Sequence, residues 1–230
     1  MARSEADAGA PTVLLAGASG LIGRALLDVL LAPGRHGRVT VLARRPLSGD
    51  HSRDPRLSVR IGDLPALAAD ASGSRDVYIA LGTTIRVAGS QAAFRAVDFD
   101  LVVAVARAAR NAGARRLAVV SALGADARSG VFYNRVKGEA EDMLATLGYE
   151  TLVIARPSLL LGDREALGQP TRRGEILATR LLGPMLSWVP AAVRPIEAKT
   201  VAAAMVAALG DATPGTRTLA SAELQRLGRR

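Results

Sequence analysis

Tyr133 and Lys137 lie four residues apart in a segment, 132–147, whose apolar spacing predicts a helix. That interval projects both side chains from one helix face. Ser121 precedes Tyr133 by twelve positions, at the carboxyl end of the run Leu117–Val120, which reads as a buried strand. A phenol, an ammonium and a hydroxyl brought to one sheet edge suit carbonyl reduction or its reverse. In that chemistry Tyr133 transfers the proton, Lys137 lowers the phenol's pKa and holds a ribose, and Ser121 polarises the carbonyl. Composition supports a special role for Lys137. The chain has 30 basic residues and only two of them are lysines, so its ammonium stands out in a protein that otherwise uses arginine.

The second constellation is the turn Gly17-Ala18-Ser19-Gly20-Leu21-Ile22-Gly23, between the apolar run Thr12–Ala16 and an amphipathic segment. The first glycine permits a tight turn, the second lets a pyrophosphate approach the backbone, and the third allows close helix–strand packing. Ser19, Leu21 and Ile22 would present their amides to the phosphates at the helix N-terminus. The next strand, Val39–Ala43, ends in Arg44-Arg45-Pro46, with no acid before Asp50. An NAD binder places a carboxylate there for the ribose hydroxyls, whereas two guanidinium groups suit a 2′-phosphate. The expected cofactor is therefore NADP(H). Asp63-Leu64 follows the third strand and could meet the adenine, or Asp63 could cap the following turn.

Positioning these groups requires strands alternating with helices. Strands are expected at 12–16, 39–43, 57–61, 77–81, 117–120 and 151–155, with helices at 21–31, 91–111 and 132–147. This alternation reads as α/β, a Rossmann-type doubly wound parallel sheet with a small C-terminal cap. Residues 1–10 read as a flexible tail and 11–230 as a single domain. Residues 158–230, with helices expected at 174–186 and 198–209, would form the substrate-side cap.

Hydrophobic residues make up 49% of the 230, enough for a sizeable core. Without cysteine, disulfides and thiolate chemistry are excluded, and two histidines argue against a zinc site. The net charge of +9 comes from scattered arginines with no run longer than two, which argues against specific nucleic-acid binding. No stretch is long enough for a membrane span, and the N-terminus lacks the apolar block of a signal peptide, so a cytoplasmic protein is expected. The apolar stretch 181–193 around Trp188 is compatible with the core, a substrate pocket or a homodimer interface.

The motifs Gly17–Gly23, Ser121 and Tyr133-Asn134-Arg135-Val136-Lys137 resemble those of extended or atypical short-chain dehydrogenases/reductases. Leu81-Gly82-Thr83-Thr84, Ala88-Gly89-Ser90, Phe94-Arg95-Ala96-Val97-Asp98 and Val136-Lys137-Gly138-Glu139 resemble the Tat-interacting-protein-like oxidoreductases more closely. So do Ser121-Ala122-Leu123-Gly124-Ala125-Asp126 and the run from Arg156-Pro157-Ser158 to Gly162-Asp163-Arg164. The resemblance implies NADPH binding but no particular substrate; the Ser-Tyr-Lys trio favours a reductase or dehydrogenase acting on a small carbonyl or alcohol. Leu81, Gly82 and Thr83 would lie near the cofactor ribose, and Pro157 and Ser158 near the nicotinamide. It also implies an alternative, a non-catalytic NADP(H)-sensing regulator like the NmrA-like proteins. Asp98 departs from the Asn of many extended members, and the short cap argues against a nucleotide-sugar substrate.

Overall fold

A computed structural model describes residues 12–34, 37–47, 54–161, 190 and 193–229. The N-terminal tail, the helix expected at 174–186 and most of the stretch around Trp188 lie outside the described residues. The strands are β1 (Thr12–Ala16), β2 (Arg38–Ala43), β3 (Leu57–Ile61), β4 (Ser74–Ile79), β5 (Arg116–Val120), β6 (Thr151–Arg156), β7 (Leu160–Leu161), β8 (Ile196–Glu197) and β9 (Gly215–Ala220). The helices are α1 (Leu21–Leu30), α2 (Leu64–Ala69), α3 (Ile85–Ala88), α4 (Gln91–Arg95), α5 (Val102–Asn111), α6 (Phe132–Ala145), α7 (Ala198–Gly210) and α8 (Ser221–Leu227). Seven parallel strands form one sheet in the order β3-β2-β1-β4-β5-β6-β9. The chain starts at the centre, runs outward to β3, and crosses back over β1 to β4. The crevice at that reversal, outside the carboxyl ends of β1 and β4, is where such sheets bind ligands.

Side chains alternate between the two faces of each strand. On β1, Val13 and Leu15 join one core with α1 and α7, while Leu14 and Ala16 join the other with α2 and α5. Both sets are fully buried, which is why the strand reads as an unbroken apolar run and not as an alternating one.

The C-terminal region differs from expectation. Residues 198–229, assigned above to a cap, belong to the main fold. Helix α7 lies against α1 and supplies Val201, Met205 and Leu209 to the first core, and β9 is a seventh strand beside β6. An Ala- and Val-rich helix buried around most of its surface needs the sheet to cover it. Strand β9 escaped notice because Leu219 is its one buried residue. Of the expected cap, the described part is a two-stranded ladder of β7 and β8.

The helix expected at 91–111 is three pieces. Ser90 caps α4 through the Ala93 amide, a π-helical turn spans Ala96–Leu101, and α5 follows. Such wide turns occur inside helices where a side chain must be re-aimed. This one carries the buried Asp98.

Candidate functional site

The glycine turn shows three separate demands. Gly17 has φ +95, and a Cβ there would sit 2.5 Å from the Ala80 carbonyl oxygen at the end of β4. At Gly23 a Cβ would lie 1.9 Å from the Gly17 carbonyl oxygen, so only glycine lets α1 rest on the turn. Gly20 is different: its nearest neighbour would be the Gly17 carbonyl oxygen at 3.4 Å, ordinary contact. The chain's own packing therefore does not demand glycine at 20. No side chain caps α1 and no acid stands in its first turn, so the amides of Leu21 and Ile22 are left without a side-chain acceptor. Ser19 is exposed beside them. These residues fit a pyrophosphate held by amides and the helix dipole.

Arg44 and Arg45 are exposed directly after β2. Asp63 does what the capping alternative required: its Oδ2 accepts from the Ala66 amide at 3.1 Å and caps α2, with Leu64 buried behind it. Residues 44–47, the described residues directly after β2, carry two cations and no carboxylate.

The second half of the carboxyl edge is built from α6. Tyr133, Lys137 and Glu141 recur every four residues and share one face. Lys137 and Asp98 are both buried, with side chains 7% and 1% exposed, and Nζ lies 2.7 Å from Asp98 Oδ1. The contact is electrostatic, since Oδ1 lacks an aligned hydrogen bond. The other oxygen, Oδ2, accepts from the Thr83 amide at 2.8 Å. Asp98 thus ties the lysine to the loop after β4. A Cβ on Gly82 would come within 3.3 Å of Asp98 Oδ1 and 3.8 Å of the ammonium. Leu81, partly buried, packs into the core below.

Tyr133 is held by aromatic packing. Its ring centroid is 5.3 Å from that of the fully buried Phe94, which also meets Phe132 at 6.0 Å. Among the described residues the Tyr133 hydroxyl makes no hydrogen bond. The other tyrosines are spent: Tyr78 is buried on β4, and Tyr149 donates to the Ala106 carbonyl at 2.7 Å.

Ser121 points elsewhere. Its buried hydroxyl donates to Glu141, and the same carboxylate receives two contacts from Arg156 Nε at 3.0 and 3.1 Å. Those hydrogen bonds raise the Arg156 pKa further above its ordinary high value. Glu141 lies eight residues beyond Tyr133, about 12 Å along the helix axis. The structure therefore sets Tyr133 and Lys137 on one face while it turns the Ser121 hydroxyl toward a carboxylate two turns on. Ser158 is likewise engaged internally: it donates to the Arg194 carbonyl and accepts from Ser221 at 2.9 Å, fixing the loop after β6 to the segment entering β8. The buried Pro157 accepts from the Leu123 amide at 3.0 Å. The loop between β5 and α6 lies directly on α6, because a Cβ at Gly138 would be 2.1 Å from the Ala127 amide nitrogen.

Phe94 and Arg156 stand in the family-like motifs with no role assigned to them, and Glu141 stands in none. The four-residue interval from Lys137 to Glu141 was a usable signal for the acid. Nothing local marks Phe94 as the neighbour of a ring 39 positions away.

Sheet order, switch point and glycine turn together define a Rossmann-type dinucleotide-binding protein. Residues 17–212 match a family described as NAD(P)H-binding. Protein HTATIP2 of Rattus norvegicus is 34% identical over 199 residues, covering 85% of this chain and 79% of that one. Protein FMP52, mitochondrial, of Candida albicans is 30% identical over 195 residues, covering 83% and 84%. The chain belongs to this NAD(P)H-binding family, among its HTATIP2- and FMP52-like, short-chain-dehydrogenase-type members. Among solved structures, Bordetella bronchiseptica WbmG in complex with NAD superposes with a TM-score of 0.67 at 18% identity, covering 96% of this chain and 77% of that one. At that identity the likeness is one of fold. No helix among the described residues is long and apolar enough to cross a membrane.

Proposed function

We propose that the protein is an NADP(H)-dependent oxidoreductase that interconverts a small carbonyl compound and its alcohol. The observation that carries this reading is the buried Asp98–Lys137 pair one helical turn from a phenol that makes no hydrogen bond among the described residues. The amides at Gly20–Ile22 would hold the pyrophosphate, and Arg44 and Arg45 the 2′-phosphate. Bound NADPH supplies a hydride to the carbonyl carbon. Tyr133 gives its proton to the carbonyl oxygen, and the Lys137 ammonium stabilises the phenolate left behind. Asp98 does not touch substrate; it is a positioning residue that fixes the ammonium through the Thr83 loop. Ser121 can polarise the carbonyl only if its single proton turns away from Glu141, leaving that carboxylate to Arg156.

The Ser121–Glu141 bond favours a second reading, in which the protein binds NADP(H) as a sensor and reduces nothing. A cytoplasmic location belongs to this proposal, and fractionation would test it against the mitochondrial label of the FMP52 relatives.

Titration with both cofactors, followed by NADPH absorbance with small aldehydes, ketones and quinones, tests the proposal. NADPH is expected to bind at least about tenfold tighter than NADH, since a charge-assisted contact is worth roughly 1.5–3 kcal/mol. The Arg44→Ala/Arg45→Ala double variant should lose that preference. Equal affinities in the wild type would contradict the cofactor assignment, and tight binding without any turnover would favour the sensor.

A further inference from the structure

The large apolar side chains left exposed in this fold are unevenly placed. Two of them, Val59 and Ile61, lie on the edge strand β3. The others among the described residues are Val87, Leu123, Val131, Leu159 and Val193, all in segments that follow β4, β5 or β6 or lead into β8. Four of these connect to the turn that carries Tyr133 through the chain and its backbone hydrogen bonds. Val131 immediately precedes the first turn of α6. Leu123 sits in the loop whose Gly124, given a Cβ, would touch Asn134 at 3.1 Å. The Leu123 amide is bonded to Pro157, and the Leu159 carbonyl accepts from Ile196 at 2.9 Å, three positions after Val193. Leu123, Val131, Leu159 and Val193 are between 42% and 59% exposed, on segments that lead to or are bonded near the first turn of α6.

Among the described residues, several arginines near α6 face acids. Arg156 is held by Glu141, Arg95 and Arg135 by Glu139, and Arg128 by Asp126. A diphosphate or carboxylate substrate would compete with Glu141 for Arg156 and with Glu139 for Arg95 and Arg135. A hydrocarbon would lose nothing and gain by covering exposed apolar surface.

We propose that the substrate is an apolar carbonyl compound whose hydrocarbon lies against Leu123, Val131, Leu159 and Val193 while its oxygen meets Tyr133. This inference rests on the oxidoreductase reading for the position of the oxygen, and on these four side chains alone for the chemistry of the tail. A large partner is disfavoured because these four residues come from three separate connecting segments and do not extend a sheet face or helix stripe.

The test is binding of primary alcohols, the expected product class, to the full chain saturated with NADP+. Calorimetry with ethanol, 1-butanol, 1-hexanol and 1-octanol should show affinity rising by about two- to fourfold per methylene, the upper value being that of a fully buried CH2. Leu123→Ser and Leu159→Ser should flatten that rise, whereas Val59→Ser and Ile61→Ser, on the distant sheet edge, should not. Affinity independent of chain length, or UDP-glucose binding tighter than 1-octanol, would overturn the proposal. So would a Leu123→Ser variant that keeps the rise but turns a dimer into a monomer, because these side chains would then form an interface between copies. A chain-length rise without NADPH oxidation by octanal would uphold the apolar site and defeat the oxidoreductase reading. Oxidation by short and long aldehydes alike, with flat binding, would do the reverse.

Discussion

The two ends of the central sheet treat polar groups in opposite ways. At the amino end they are paired with one another. Arg116 makes a two-pronged contact with Asp76 across β4 and β5, Arg115 meets Glu150, Thr151 donates to the Thr213 carbonyl, and Tyr149 donates to Ala106. At the carboxyl end the pairs that exist, Lys137 with Asp98 and Arg156 with Glu141, stand behind groups that are left open. Those open groups are the uncapped first amides of α1, the exposed Arg44 and Arg45, and the Tyr133 phenol. A satisfied polar group contributes to stability and is unavailable to a ligand. The amino end is therefore read as scaffold and the carboxyl end as site, although both contain ion pairs of similar appearance.

Removing one acid at each end is the sharpest way to break that comparison. Asp98→Ala strands a buried ammonium, and loss of one partner from a buried pair costs about 3–5 kcal/mol. It should lower both denaturant stability and NADPH affinity, because Lys137 is then unheld. Asp76→Ala leaves Arg116 partly open to solvent, with 17% of its side chain exposed. It should cost less, about 1–3 kcal/mol, and leave cofactor affinity per folded molecule unchanged. Equal losses of NADPH affinity in the two variants would erase the distinction between scaffold and site.

A smaller effect sharpens the contrast between the tyrosines. Burial pushes the Tyr149 phenol above its ordinary value of 10.0, with Arg110 opposing more weakly. A phenol whose pKa is raised by folding contributes stability that is complete below about pH 10 and is lost as pH rises through the folded-state value. Tyr149→Phe should cost about 1 kcal/mol at neutral pH for the lost hydrogen bond, and show a shallower fall in stability above pH 10. Urea midpoints measured from pH 8 to pH 11 check this. A steeper alkaline fall in the variant would contradict the burial argument.

Legibility in the sequence followed the range of the interaction. The glycine turn and the Tyr133–Lys137 interval are local, so their spacing alone located them; β3 was legible by its alternation and the other strands from β1 to β6 as short apolar runs. Three features were hidden because they depend on chain far away. Asp98 meets Lys137 across 39 positions and faces inward within a π-helical turn that no helix pattern indicates. Strand β9, with the sequence GTRTLA, lacks apolar alternation because it lies at the sheet edge. Helix α7 was legible as a helix but not as the partner of α1, since an Ala-rich segment fits many surfaces. Ser121 is the instructive case: its position at the end of β5 was foreseen, while its hydrogen bond depends on Glu141, supplied by the next helix.

The central claim is that Tyr133 transfers a proton beside a cofactor held elsewhere. The most direct measurement is NADPH affinity and single-turnover carbonyl reduction compared between the wild type and Tyr133→Phe. Because the phenol takes no part in phosphate binding, affinity should stay within about twofold, while the rate falls by on the order of 10²–10⁴, the usual worth of a positioned acid. A variant that reduces the carbonyl as fast as the wild type would contradict the claim.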